Sequence, residues 1–381
     1  MPIIVYIVLA LYTLANIYLY LRFRLVFPKG RGYRGALAVV FLILYFSYLG
    51  AELSKPILTP GLVAALHWTG SWWIGFLFYT TIILLLIDLV RLAARLLHLF
   101  PAGRHHLPRS IRRYGPVIVA VGVIILLWAG YLNARDLQVT TLRLRLRQSC
   151  GNMKRLNLVF LSDLHLGVTV NSAFLKRAIF QVNSLKPDLV LLVGDIVDMD
   201  IREIDEMGCG RLLSRIRAPL GVYAVTGNHE YITGEEESVS YLSGVGITFL
   251  RDRVIKINNS FYLAGREDLS SIRRGGEKRS LRSVLRGLDP GCPIILMDHR
   301  PARIDEAVEE GVDLLLCGHT HHGQLFPLNL LTGIFYPVSW GYVRQGETQV
   351  YVSSGAGTWG PPVRIGNIPE IVEIKIEFGG T

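Results

Sequence analysis

The sequence predicts two architectures in series: an α-helical transmembrane domain over residues 1–135, then a layered α/β domain over 140–381. Three observations carry this. Apolar residues make up 51% of the chain and the mean hydropathy is +0.37, high for a soluble protein, with the apolar excess lying in the first 140 residues. The formal charge of +10 lies there too: residues 1–140 hold 13 Lys and Arg against 3 Asp and Glu, and the remaining 27 of each sign cancel. From about residue 142 onward, short apolar runs alternate with amphipathic stretches, the pattern of strands and helices stacked in layers.

Crossing a bilayer takes about 20 apolar residues of helix. Four stretches approach this length, at 2–21, 35–49, 71–90 and 116–132. The second is short and needs flanking residues to complete a span. No basic segment precedes the first, and its arginines come after the apolar run, so it reads as an uncleaved span and not as a signal peptide. Lys and Arg in short loops set orientation. Arg22, Arg24, Lys29, Arg31 and Arg34 come after the first span, and Arg91, Arg95, Arg104, Arg109, Arg112 and Arg113 after the third. The intervening loop has only Lys55, beside Glu52. The two basic loops are expected in the cytoplasm, which puts both chain ends, and the C-terminal domain, on the extracytoplasmic side. This explains the basic excess without a nucleic-acid partner, for which no module signature exists. Trp68, Trp72 and Trp73 are expected as an interfacial belt at the outer end of the third span. Asp88, near its inner end, is expected to pair with Arg91 at i,i+3.

In the second half, 141–147 alternates apolar and basic residues and predicts a half-exposed strand. The apolar runs 158–161, 189–193, 222–225, 294–297 and 314–317 predict buried strands, with helices near 172–185, 201–217 and 301–310. The alternating run 371–378 predicts a last strand. Cys150, Cys209, Cys292 and Cys317 form no C-x-x-C pair, so neither a zinc knuckle nor a redox motif is expected. Their spacing leaves one disulfide open without selecting it, and Cys317 is expected to be buried in a strand.

The residues at the carboxyl end of each buried run carry the chemistry. Ser162-Asp163-Leu164-His165 adjoins the first, Gly194-Asp195 the second, and Gly227-Asn228-His229-Glu230 the third. Asp298-His299-Arg300 and Gly318-His319-Thr320-His321 adjoin the last two. In open α/β folds, sites form outside the carboxyl ends of strands, so these residues are expected to converge on one sheet edge. Asp, His and Asn are hard-to-borderline oxygen and nitrogen donors that suit Mn, Fe, Zn or similar divalent ions. Seven such donors are too many for one tetrahedral ion. A shared carboxylate holding two ions about 3.5–4 Å apart accounts for the number.

The ordered set D-x-H, G-D, G-N-H-E, a lone His and G-H-x-H resembles the calcineurin-like metallophosphoesterase superfamily, from about Leu156 to the C-terminus. Together with the apolar N-terminal half, the tail from Ser354-Gly355-Ala356-Gly357 to Pro362-Val363-Arg364 resembles its membrane-associated members. The resemblance implies a layered β-sandwich flanked by helices. It implies that Asp163, His165 and His321 hold a first metal, that Asn228, His299 and His319 hold a second, and that Asp195 bridges them. It further implies that metal-activated water attacks phosphorus, and that His229 meets the phosphate without ligating metal and protonates the leaving group. The expected partners are the bilayer and a phosphate mono- or diester, lipid head groups among the candidates.

Other residues read more plainly. His322 is expected to turn away from the ligands, and Glu230 to orient a neighbour. His105 and His106 are expected in solvent, and Arg364 at the surface or in a salt bridge. The basic run Arg273, Arg274, Lys278, Arg279, Arg282 and Arg286, with Gly275, Gly276 and Ser280, reads equally as a solvated loop or as a grip on anionic head groups. There is no G-x-S-x-G elbow, Walker A loop or Cys–Arg phosphate cradle. Two alternatives stay open: a lipid pyrophosphatase of the UDP-diacylglucosamine type with a cytosolic site, and a non-catalytic metal-binding membrane scaffold.

Overall fold

A computed structural model describes residues 3–28, 30–54, 57–98, 109–273, 275 and 279–379. Lys29, Lys55, Arg104, His105, His106, Arg274, Gly276 and Lys278 lie outside the described residues, as do the side chains of Glu52, Arg109, Arg112 and Arg273. The chain separates into two compact units, Met1–Tyr131 with Gly360–Pro362, and Leu132–Trp359 with Val363–Thr381.

The first unit contains helices α1 (Ile3–Phe23), α2 (Arg31–Ser54), α3 (Pro60–Leu96) and most of α4 (Arg109–Arg135). All four are long and apolar enough to cross a membrane. Each exceeds its apolar stretch because the helix continues through polar turns at its ends. At about 1.5 Å per residue, the 37 residues of α3 exceed the bilayer's hydrocarbon core. Pro60 starts α3 because a first-turn proline loses no helical hydrogen bond. Inside the bundle, polar side chains find each other. Trp73 Nε1 donates to Asn16 Oδ1 at 3.1 Å, and Tyr12 Oη donates to the Tyr45 carbonyl at 2.9 Å. Trp73 is therefore buried in the bundle. Asp88 meets Arg91 at 3.6 Å as expected, and it also accepts from Tyr18 Oη at 2.9 Å and pairs with Arg22, tying α1 to α3.

The second unit contains two six-stranded sheets. In chain order the strands are β1 (Gln138–Leu146), β2 (Arg155–Leu161), β3 (Leu189–Val193), β4 (Val222–Val225), β5 (Thr248–Phe249) and β6 (Arg253–Ile257). They continue with β7 (Phe261–Gly265), β8 (Ile294–Met297), β9 (Leu314–Cys317), β10 (Gly341–Gln345), β11 (Thr348–Val352) and β12 (Glu370–Phe378). The sheet orders are β1-β12-β2-β3-β4-β5 and β10-β11-β9-β8-β7-β6. Strands β2 to β5 run parallel, as do β7, β8, β9 and β11. Alternate side chains explain the continuous apolar runs, since each central strand is covered on both faces. Leu158, Phe160, Leu189, Leu191 and Val193 face Leu263, Ile295, Met297, Leu314 and Leu316 in one core between the sheets.

Val159, Leu161, Val190 and Leu192 point the other way, against α5 (Ser172–Ser184), α6 (Ile201–Glu206), α7 (Cys209–Leu213) and α9 (Glu235–Gly244). Between α7 and α9 in sequence lies α8 (Asn228–Thr233). The second sheet's outer face packs on α11 (Leu281–Val284) and α12 (Ile304–Glu309), with α10 (Ser270–Arg273) and α13 (Leu328–Phe335) completing the helices. The unit is thus a β-sandwich between helical layers. The helix expected over 201–217 is two, because Gly208 at φ +71° leaves the right-handed region between them. The short strands β5, β6, β7, β10 and β11 lie outside the runs read as strands in the sequence. Cys150 and Cys292 form a disulfide across 142 residues, where spacing had selected none. Cys209 and Cys317 are free and buried.

Candidate metal centre

The motif residues leave the carboxyl ends of β2, β3, β4, β8 and β9. Those strands belong to two sheets, so the centre forms at the rim of the sandwich and not on one sheet's edge. The chain turns sharply to aim them. Asp163, His165, Asp195, His319 and His321 all have positive φ, between 48° and 70°. Such conformations are disfavoured for residues with a Cβ and persist where packing over-determines them. Two glycines permit close approach. A Cβ on Gly227 would collide with Asp195 Oδ1, and one on Gly318 would collide with Asp163 Oδ2.

Three groups of donor atoms each lie within 4.8 Å of one another: Asp163/His165/His321, His165/Asp195/His229 and Asp195/His299/His319. Asp195 is common to two of them. Its Oδ2 lies 3.1 Å from His299 Nε2 and 3.8 Å from His165 Nε2. His165 Nε2 and His321 Nε2 are only 2.9 Å apart, and His321 Nε2 is 3.5 Å from Asp163 Oδ1. The donor set fits divalent cations. Asn228 Oδ1 and His299 Nε2 are buried without a hydrogen-bond partner, a costly state for a polar atom unless an ion takes it up. His299 Nδ1 lies 2.9 Å from the Val193 carbonyl. Donation there fixes the tautomer and leaves Nε2 as a lone-pair donor.

Charge obeys the same logic. Burial, reinforced by neighbouring His299, pushes His319 down to about 3. Burial and His165 hold His321 well below the usual imidazole range, so both rings stay neutral. Burial opposes ionisation of Asp195, yet His299 holds its carboxyl well below the usual range. Asp163 is raised by burial and by the Asp195 charge. Burial disfavours the His299 imidazolium, but Asp195 and Asp163 raise it to about 10, so a cation binding there would displace the Nε2 proton.

The residues behind the donors are only partly legible in the sequence. Glu230 is fully buried and accepts four backbone N–H groups: Asp195 at 3.0 Å, Ile196 at 2.6 Å, Val197 at 3.2 Å and Gly227 at 2.7 Å. It orients two ligand loops, as expected. Asp198, missed in the sequence, has Oδ1 2.5 Å from His229 Nδ1 and 3.8 Å from His165 Nδ1. The one signal for it is its position three residues after Asp195. Burial alone would lower His229, but the bond to Asp198 and the charges of Asp195 and Asp198 raise it to about 9. Arg364 is not at the surface, and among the described residues it forms no salt bridge. It is fully buried, donates to the Gly355 carbonyl at 2.9 Å and the Gly357 carbonyl at 2.6 Å, and reaches within 3.5 Å of His321 Nδ1. Gly357 N in turn donates to the Asp163 carbonyl at 2.8 Å, so Arg364 props the first ligand loop from behind. His322 turns away and packs on Trp340, with ring centroids 4.9 Å apart. In the basic run, Arg282 bonds Glu310 at 2.8 Å on the surface.

Comparison with known proteins agrees with this geometry. The family model for calcineurin-like phosphoesterases matches residues 156–323. A "transmembrane protein with metallophosphoesterase domain" of Danio rerio is 34% identical over 68% of this chain and 62% of its own length. An uncharacterised metallophosphoesterase of Aquifex aeolicus is 32% identical over 58% of this chain and 84% of its own. A Caenorhabditis elegans metallophosphoesterase is 29% identical over 90% of this chain and 73% of its own. The chain thus spans about three fifths of the length of the vertebrate relative.

Proposed function

The chain belongs to the calcineurin-like phosphoesterases, and from that premise we propose that it is a membrane-anchored, metal-dependent enzyme that hydrolyses phosphate mono- or diesters, lipid head groups included, at a two-metal centre. Asp163, His165 and His321 would hold one divalent ion, Asn228, His299 and His319 the other, and Asp195 both. The observation that carries this is that Asp195 lies within reach of His165 on one side and of His299 and His319 on the other, beside a buried Asn228 Oδ1 with no hydrogen-bond partner. When bound, two such ions supply Lewis acidity to phosphate oxygens and acidify water to a nucleophile near neutral pH. The residues do the rest. Glu230 holds the Asp195 and Gly227 loops in register, and Arg364 supports the Asp163 loop. Asp198 engages Nδ1 of His229, leaving Nε2 to carry the proton that the leaving oxygen needs.

The basic loops favour an extracytoplasmic site, and the Cys150–Cys292 disulfide supports an oxidising compartment. Both weigh against a cytosolic pyrophosphatase. A non-catalytic scaffold would be favoured by a lost ligand position, and none is lost. The test is hydrolysis of bis(p-nitrophenyl) phosphate by the purified full chain with Mn²⁺, alongside Asp195→Asn. The variant is expected to lose both bound metal and turnover. Full metal loading with full turnover would refute the shared-carboxylate centre.

A further inference from the structure

One segment of the α/β unit plays no part in the ester chemistry. Residues 323–343 contain no Asp, Glu, Lys or Arg, in a half of the chain that holds 27 of each sign. At their middle is α13, in which no residue is buried. Leu330, Leu331, Ile334 and Phe335 are 61%, 48%, 76% and 75% exposed, and Trp340 and Trp359 are exposed nearby. Leaving such a contiguous apolar face in water forgoes roughly 25 cal/mol for each Å² that could be covered, and monomeric soluble proteins seldom carry a large one. The segment is held in place. Gln324 Nε2 donates to the Trp359 carbonyl at 2.8 Å, Trp359 N donates to Gln324 Oε1 at 2.9 Å, and Thr320 Oγ1 donates to the Ser339 carbonyl at 2.6 Å. It also borders the centre, since the Tyr336 ring lies 5.9 Å from that of His319 and the Trp359 ring 6.1 Å from that of His229.

We infer that α13 and its flanks dock into the surface of the bilayer in which the chain is anchored. The four apolar side chains enter the acyl boundary, and Tyr336, Trp340 and Trp359 sit at head-group level, where such rings are enriched. Covalent connectivity argues for lipid over a protein partner. The last membrane-spanning helix ends at Arg135 and β1 begins at Gln138, so the unit is tethered to the bilayer by a two-residue link. An eight-residue helix between Pro327 and Pro337 is too short to span, so it lies in the interface. Resting on the phosphoesterase reading, the consequence is that the esters reaching the centre are those of lipids, delivered from the membrane surface.

The test uses the full chain in phosphatidylcholine–phosphatidylglycerol nanodiscs. Ile334→Cys carries an environment-sensitive fluorophore, with Phe180→Cys on α5, 75% exposed, as the control. The two free native cysteines are buried and should stay unlabelled. Nitroxide lipids should quench the Ile334 label strongly and the Phe180 label weakly. Equal quenching overturns the docking, as does an unquenched Ile334 label shielded in a detergent-solubilised dimer, which would give the face to a second copy. In parallel, I334D/F335D should lose about tenfold or more in turnover of nanodisc phospholipid, from the apolar area removed, while keeping metal and hydrolysis of the soluble ester. Selective quenching without hydrolysis of either ester would leave the docking intact and sink the phosphoesterase reading. Equal loss on both esters would sink the lipid-delivery step.

Discussion

His229 and Asp198 meet at 2.5 Å, with the His229 side chain close to the proposed ligands but outside the proposed ligand sets. If the pair handles a proton, removing it should affect turnover and not metal. His229→Ala is expected to keep its metal and to lose about 10²–10⁴-fold in kcat, least for a nitrophenolate leaving group that needs no proton. Asp198→Asn should keep the ring in place, cost less, and shift the alkaline limb of the kcat–pH profile to lower pH, because His229 must be protonated to act as the acid and its raised pKa would fall. Metal analysis beside kinetics separates the roles, and metal loss in either variant would make these residues structural. Glu230→Gln presents an amide NH₂ to backbone N–H groups and should destabilise by about 1–3 kcal/mol, read as a lower Tm. At this scale, the seven Asp, Asn and His side chains were legible because each comes directly after an apolar run that ends in a strand. Asp198 and Arg364 were not, because nothing local shows that one would face His229 across 31 residues or that the other would be buried under the 355–357 turn.

The elements aim these side chains, and small groups at their ends decide how well. Gly227, two residues past β4 and directly before α8, lies against the Asp195 carboxylate, where a methyl has no room. Gly227→Ala should therefore abolish turnover and lower metal content although it touches no proposed ligand by side chain, and a fully active, fully loaded variant would contradict the packing. By contrast, Asn171 caps α5, its Oδ1 accepting from Ala173 N at 3.1 Å and Phe174 N at 3.2 Å. Asn171→Ala should cost about 1 kcal/mol in thermal unfolding and leave kcat unchanged. The central strands were readable because both faces are buried, which writes a continuous apolar run. The edge strands β6 and β10 carry mixed faces over five residues each, too short for a period to show. The division between α6 and α7 turns on one left-handed glycine, which an amphipathic pattern passes over.

For the whole molecule, the question is which side of the membrane the centre occupies, because that limits its substrates. Eleven Lys and Arg lie between the first and second and between the third and fourth apolar stretches, several of them on the end turns of the helices, against Lys55 alone between the second and third. A basic residue at a helix centre costs roughly 2.5–3.5 kcal/mol on insertion scales, so these charges stay away from span centres, and the orientation proposed above puts their excess on the cytoplasmic side. On that proposed orientation, four spans would put both chain ends outside. The disulfide tests this through independent chemistry, since Cys150 and Cys292 would stay reduced in a mesophile's cytosol. A periplasm-dependent phosphatase reporter fused after Thr381 should be active in a bacterial host, and a cytosol-only fluorescent reporter there should stay dark. Trapping thiols in intact cells before lysis should find Cys150 and Cys292 oxidised. The opposite result on both would reverse the orientation and restore the cytosolic lipid pyrophosphatase. Reversal would leave the metal centre and the apolar α13 face standing, because each rests on the α/β unit alone; only the leaflet that supplies the ester would change.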